Sequence, residues 1–220
     1  MLRFLFGKIG RFVFLKKMIY NNDKGWKTMR LKNEKYLMID DQYYGCDQEW
    51  YKKKWRRKAG CGATSAANLI LYNRKENTFS QETALKVMDQ LWTDITPTIM
   101  GVNKSSIFVS GMRNYLKKNQ LNFDVIELYF PKNKEARMSY DLLEQFILEA
   151  LQEDQPISFL NLSNGNQPNL DSWHWTTLTG YEEESKIAMI SDGGMCKEIN
   201  LKSWYKTTKA SGGFAYLKSR

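Results

Sequence analysis

A cysteine, a histidine and an aspartate in this chain stand in contexts suited to nucleophilic chemistry. Cys61 lies in Gly60-Cys61-Gly62-Ala63-Thr64-Ser65-Ala66-Ala67-Asn68, His174 in Asp171-Ser172-Trp173-His174-Trp175-Thr176-Thr177, and Asp192 in Ile190-Ser191-Asp192-Gly193-Gly194. A thiol attacks well only as its thiolate, which a helix N-terminus favours through unpaired N–H groups and the macrodipole. An imidazole can take the proton, and a carboxylate can fix the tautomer and orientation of the ring. His174 is the only histidine in 220 residues, so any imidazole-dependent step must use it.

Each residue also has an ordinary reading. Cysteines are commonly buried as small apolar groups, histidines often serve only structure, and aspartates are frequent in turns. Gly60 and Gly62 let the backbone turn sharply and a substrate approach closely, and N–H groups there can stabilise an oxyanion. What joins the three is the expected hairpin of strands 174–181 and 186–191 about Glu182-Glu183-Glu184-Ser185. Pairing about that turn puts residues near 174 and 192 at one open end, within reach of each other. Alternation along the first strand sends Trp173 and Trp175 to the face opposite His174.

The elements that must carry these residues follow from pattern. Residues 61–73 read as an almost wholly apolar helix, the kind buried through the centre of a domain. Asn68 shares the face of Cys61, and bonding within the core is its expected role. Ser80 caps a helix to Trp92, a third runs from Asn103 or Lys104 to Asn119, and Ser139 caps a fourth to about Glu153. Leu37-Met38-Ile39 and 125–130 read as strands, the latter ended by Pro131. Further short strands fall at 157–162, 174–181, 186–191, 197–201 and 213–217. Helices first and an antiparallel sheet afterwards give an α+β domain over 36–220, preceded by a basic extension, 1–35.

The formal charge of +9 is local rather than general. Residues 1–30 carry eight cations against Asp23, and Lys52-Lys53-Lys54-Trp55-Arg56-Arg57-Lys58 adds six more. The remainder is net acidic, which argues against a specific nucleic-acid partner. The two basic stretches, 1–30 and 52–58, suit an acidic partner or an anionic membrane surface; the run at 52–58 reads equally as a solvated loop. Residues 1–20 mix aromatics with cations and hold neither a spanning apolar stretch nor a signal-peptide pattern. They read as an amphipathic surface segment or as a loosely packed extension, with Met18 or Met29 as alternative starts. Three scattered cysteines fit neither a disulfide framework nor a zinc site and point to reduced thiols and a cytoplasmic setting, peripheral at the membrane if the basic extension binds there.

Gly60-Cys61-Gly62-Ala63-Thr64-Ser65 opening a helix, His174-Trp175-Thr176 opening a strand and Ser191-Asp192-Gly193 ending the next resemble the papain-like cysteine peptidases, in particular their C39-like branch. The resemblance implies a papain-like fold, with a helical half carrying the nucleophile, a C-terminal antiparallel sheet carrying base and acid, and a cleft between them. It implies a peptide or protein substrate, no cofactor and no metal, with Cys61 as nucleophile, His174 as general base and later acid, and Asp192 as orienter. The sequence departs from that pattern where Trp55 replaces an oxyanion-hole glutamine six residues before the cysteine, and where Ala63 replaces a frequent proline. Gln48, thirteen residues upstream, can serve only if the basic stretch folds back. Gln48, Trp55, Gly60 and Gly62 are therefore the candidates for substrate and oxyanion contacts. Transglutaminase-like acyl transfer and a catalytically silent binding module remain open alternatives.

Overall fold

The computed structural model describes residues 28–220, so the expected surface segment at 1–20 lies outside the described residues. In chain order the elements begin with short strands β1 (Thr28–Arg30), β2 (Met38–Ile39) and β3 (Tyr43–Tyr44). Four helices follow, α1 (Lys54–Ala59), α2 (Cys61–Arg74), α3 (Gln81–Asp94) and α4 (Ser105–Lys118). Then come β4 (Phe123–Phe130), α5 (Tyr140–Gln152), β5 (Ile157–Asn161), β6 (His174–Glu182), β7 (Ile187–Asp192), β8 (Met195–Asn200), α6 (Leu201–Thr207) and β9 (Gly212–Ser219).

Helix boundaries follow local chemistry. Ser80 accepts a hydrogen bond from the Thr83 N–H to start α3, and Ser139 accepts one from Leu142 to start α5. Lys75, in the left-handed region at φ +57°, ends α2. Helix α2 buries every residue from Cys61 to Tyr72, which is why it is apolar on all sides rather than amphipathic.

The main sheet runs β4-β9-β5-β6-β7-β8, with every pairing antiparallel. Its central strands are buried on both faces. In β9, Ala215 and Leu217 join the core built on α2, α3 and α4, while Phe214 and Tyr216 join the core under α5 and α6. The first core stacks Phe108 on Trp175 with ring centroids 4.4 Å apart; the second centres on Trp204 against Phe159 and Phe214.

Three differences from the sequence reading have local causes. Strand β1 pairs with residues 180–182 of β6, continuing the edge where β5 stops at Leu178, and Leu31 is buried. The folded unit thus takes in residues before 36. The basic run is not a loop throughout: residues 54–59 form α1, with Arg56 paired to Asp89 and Arg57 to Glu49. Residues 201–207 are helical, not a strand end, because Asn200 accepts from the Ser203 N–H and Leu201 and Trp204 bury one helical step apart. No helix among the described residues is long and apolar enough to cross a membrane.

Candidate active site

Cys61 is the first residue of α2, buried and with a free thiol. Helix α1 runs almost directly into α2, with Gly60 as the only residue between them. Gly60 has an ordinary right-handed conformation, so the need for glycine is one of space. A β-carbon there would stand 2.4 Å from the Arg56 carbonyl oxygen and 2.5 Å from the Tyr51 ring. At Gly62 it would meet Val102 at 3.0 Å. The glycines let α1, Tyr51 and Val102 close around the thiol. Gly60 supplies no side-chain cap, so the first-turn N–H groups of α2, which have no intrahelical acceptor, are not met by a capping side chain.

His174 opens β6 and Asp192 ends β7. His174 Nε2 and Asp192 Oδ1 are 2.6 Å apart, which leaves Nδ1 as the ring nitrogen available to the thiol. The partner oxygen, Asp192 Oδ2, accepts from Lys197 Nζ at 2.7 Å. Lys197 arrives there because Gly193 and Gly194, at φ +59° and +69°, make a two-residue turn. That turn sets Asp192 opposite Met195 and Ile190 opposite Lys197, so Lys197 lies diagonally across from Asp192 on the same face.

Burial disfavours the His174 imidazolium, but hydrogen bonds to Asp192 and Cys61, with the negative charges of both, outweigh it and push the pKa up to about 10. Burial likewise opposes the Asp192 carboxylate, yet His174 and Lys197 bond it and hold its pKa below the usual value. These contacts favour the protonated form of the histidine, between a carboxylate and the cysteine.

Two cavities meet at Cys61. One, of about 300 Å³ and called the polar cavity for its lining residues, takes in Gln48, Thr64, Thr176, His174, Asp192 and Lys197. The other, of about 270 Å³, is an apolar groove lined by Trp55, Ile99, Met100, Val102, Leu162 and Trp173, with Lys58 beside them. Gln48 reaches the polar cavity because Asp47 caps a short 3-10 turn at Gln48–Trp50 and α1 brings the chain back to Cys61. Trp55 instead lies in the apolar groove, about half exposed. The two tryptophans beside His174 part company. Trp175 is buried and donates to the Val102 carbonyl at 2.6 Å. Trp173, at φ +60° and 54 % exposed, turns out of the strand into the groove.

A polar spine, unforeseen from sequence apart from Asn68, locks α2 to the sheet. Ser65 Oγ lies 2.8 Å from both Ser158 Oγ and the Thr176 carbonyl oxygen. Asn68 accepts from the Cys46 N–H at 2.8 Å and donates to Thr177 Oγ1 at 3.0 Å. Positions 61, 65 and 68 share one helical face, and two polar residues there in an otherwise apolar helix were the visible signal. Among the described residues, no group of three or more His, Cys, Asp or Glu side chains is placed to hold a metal ion.

The family described as Peptidase C39-like matches residues 45–216, a range that includes Gln48, Cys61, His174 and Asp192. No curated protein is similar enough to give a match. By that match over most of its length, the chain belongs to the Peptidase C39-like family.

Proposed function

We propose that the protein is a thiol-dependent peptidase or amide hydrolase of papain-like fold, working through a Cys61–His174–Asp192 triad and a thioester acyl-enzyme. The observation that carries this reading is His174, bonded through Nε2 to Asp192 and set beside Cys61 at the start of α2. Family membership supports a cysteine-peptidase-like chemistry.

In this mechanism the proton rests on His174 and Cys61 attacks as the thiolate. The sulfur adds to the substrate carbonyl, and the oxyanion is met by first-turn N–H groups of α2 and the Gln48 carboxamide. His174 then passes its proton to the leaving nitrogen as the C–N bond breaks, leaving the thioester. Water enters, His174 takes one of its protons, and the C–S bond breaks to release acid and thiolate. Asp192 orients the ring throughout and balances its charge. The acyl portion lies in the apolar groove beside Cys61, where Trp55 and Trp173 offer exposed ring faces. If an amine resolves the thioester in place of water, the same site performs acyl transfer.

The test is the pH dependence of Cys61 alkylation, followed by mass spectrometry in wild type and His174→Ala. Cys46, whose thiol burial pushes up, and exposed Cys196 serve as internal references. Rapid labelling of Cys61 well below the free thiol pKa of about 8.5, lost in His174→Ala, is the expected result. Three cysteines that label alike would leave a binding module in place of the hydrolase.

A further inference from the structure

The polar cavity beside the thiol has a charge opposite to that of the chain. The protein carries a net +9, yet this cavity is lined by four carboxylates, Asp47, Glu49, Asp171 and Asp192, against two cationic groups, the Lys197 ammonium and the His174 ring. Lys197 is already bonded to Asp192. Glu49 has only a long contact, 3.7 Å, with Arg57. Among the described residues neither Asp47 nor Asp171 has a cation within ion-pair range.

A second observation is independent of these charges. Gln48 Oε1, Thr64 Oγ1 and Thr176 Oγ1 are buried atoms without a hydrogen-bond partner, and all three residues line this same cavity. Thr176 is 1 % exposed and Thr64 8 %. Buried polar atoms are rarely left unpaired, and a carbonyl oxygen with two hydroxyls is a set that can accept from a multi-proton donor. Acceptors within and carboxylates around them favour a group with several N–H bonds and a positive charge.

The chemistry fixes which half of a substrate reaches this place. The acyl half stays on Cys61, while the leaving nitrogen must come within hydrogen-bond reach of His174. His174 lines the polar cavity and not the apolar groove. We propose that the polar cavity is a cation subsite, holding a lysine or arginine side chain on the leaving-amine side of the bond to be cut. This rests on the hydrolase reading for its orientation, but the subsite itself can be tested without turnover. A free primary amine has the same chemistry and would occupy the cavity as an acyl acceptor.

The experiment uses fluorescent nonapeptides of otherwise neutral sequence, each carrying one lysine or one glutamate at a scanned position. Their binding to Cys61→Ala is read by anisotropy. At one position lysine should bind about tenfold more tightly than glutamate, the worth of one charge-assisted contact. Glu49→Lys combined with Asp171→Lys, both at exposed positions, should erase the difference. No lysine-preferring position, or a preference indifferent to those two substitutions, overturns the subsite. The same peptides are then given to the wild type, with and without cadaverine. Cleavage just before the preferred lysine supports the polypeptide source, and capture of the acyl group by cadaverine supports the acceptor source. A lysine preference without any turnover leaves the subsite standing and removes the hydrolase reading instead.

Discussion

Asp192 shares a face with His174 because the β6–β7 ladder slips by one residue between Leu178 and Gly180. On the turn side of that slip, Gly180 pairs with Met189 and Glu182 with Ile187; beyond it, Leu178 pairs with Ile190 and Thr177 with Ser191. Extending the outer register puts Asp192 opposite Thr176, which has the same parity as His174. Continuing the inner register unbroken would have put Asp192 opposite Thr177, on the other face, because strand side chains alternate with a period of two. Leaving Thr179 unpaired as a bulge, rather than pairing it in the ladder, is what keeps the carboxylate on the imidazole's face.

Removing the bulge residue should leave the two groups together. With Thr179 deleted, Leu178 adjoins Gly180 in the ladder and still pairs with Ile190, so Asp192 stays opposite Thr176 on the face of His174. The check is the His174 titration followed by nuclear magnetic resonance, alongside thermal melting to confirm folding. A folded deletion variant whose histidine no longer titrates near pH 10 would sink the register argument.

Lys197 holds the second oxygen of Asp192 at 2.7 Å, so in the proposed mechanism it acts as a positioning residue. Its charge also opposes that of the imidazolium across the carboxylate. Lys197→Met should raise the His174 pKa further, because one positive neighbour has gone, and should slow turnover by loosening the carboxylate. Lys197→Arg should restore both. Cys61, Asp47, Glu49 and Asp171 also face this cavity, so the pH profile is compared only between variants that keep all four. A merely structural lysine would change stability without moving the profile.

Gln48 lines the same cavity as Cys61, and in the proposed mechanism it assists the first-turn N–H groups at the oxyanion. Loss of one oxyanion donor costs about 10²–10³ in kcat. On a substrate without a cation on its leaving side, Gln48→Ala should therefore lower kcat by about that factor with little change in KM, while Cys61 alkylation stays as fast as in wild type. Equal loss of alkylation and turnover would mean that Gln48 supports the thiol and not the oxyanion.

How much of this was legible depends on whether a feature is local. Helix α2 could be read from Ala66, Ala67, Leu69, Ile70 and Leu71, and α3 and α5 from their serine caps, since each signal lies within a few residues. The hairpin was visible in its turn, but the bulge at Thr179 was not: the adjacent Gly180 is its one local mark, and the pairing of β1 and β5 along one edge of β6 surrounds it. The return of Gln48 to Cys61 depends on α1, whose six residues are dominated by cations and give no apolar stripe to read. Lys197 could have been found from the two-residue Gly193-Gly194 turn, which fixes the diagonal from Asp192. Strand β1 joins through backbone hydrogen bonds to residues some 150 positions away, and no short-range pattern records that.

Gly60 offers a test of packing around the thiol. A β-carbon there would press on the Arg56 carbonyl oxygen and the Tyr51 ring, both under 3 Å away. Overpacking of this kind typically costs about 1–3 kcal/mol. Gly60→Ala should lower the melting temperature accordingly, and Tyr51→Leu should not rescue it, since the carbonyl clash remains. An alanine variant as stable as the wild type would show that α1 and α2 do not abut as described.

The charged pair should also leave its mark on stability against pH. His174 is raised on folding from 6.5 to about 10. A group raised in this way contributes in full below its unfolded pKa and loses that contribution as pH climbs through the folded one. Asp192 is lowered from 3.8, so its contribution is complete above that value and fades as pH falls through the lowered one. The pair is thus at full strength between 3.8 and 6.5 and decays toward pH 10. The difference in melting temperature between wild type and His174→Gln should shrink steadily from pH 6.5 to 10, the window those two values define. Melting curves that keep a constant offset across that window would mean that the imidazolium is not held by Asp192 and Cys61, and the proton would have to be placed elsewhere in the resting site.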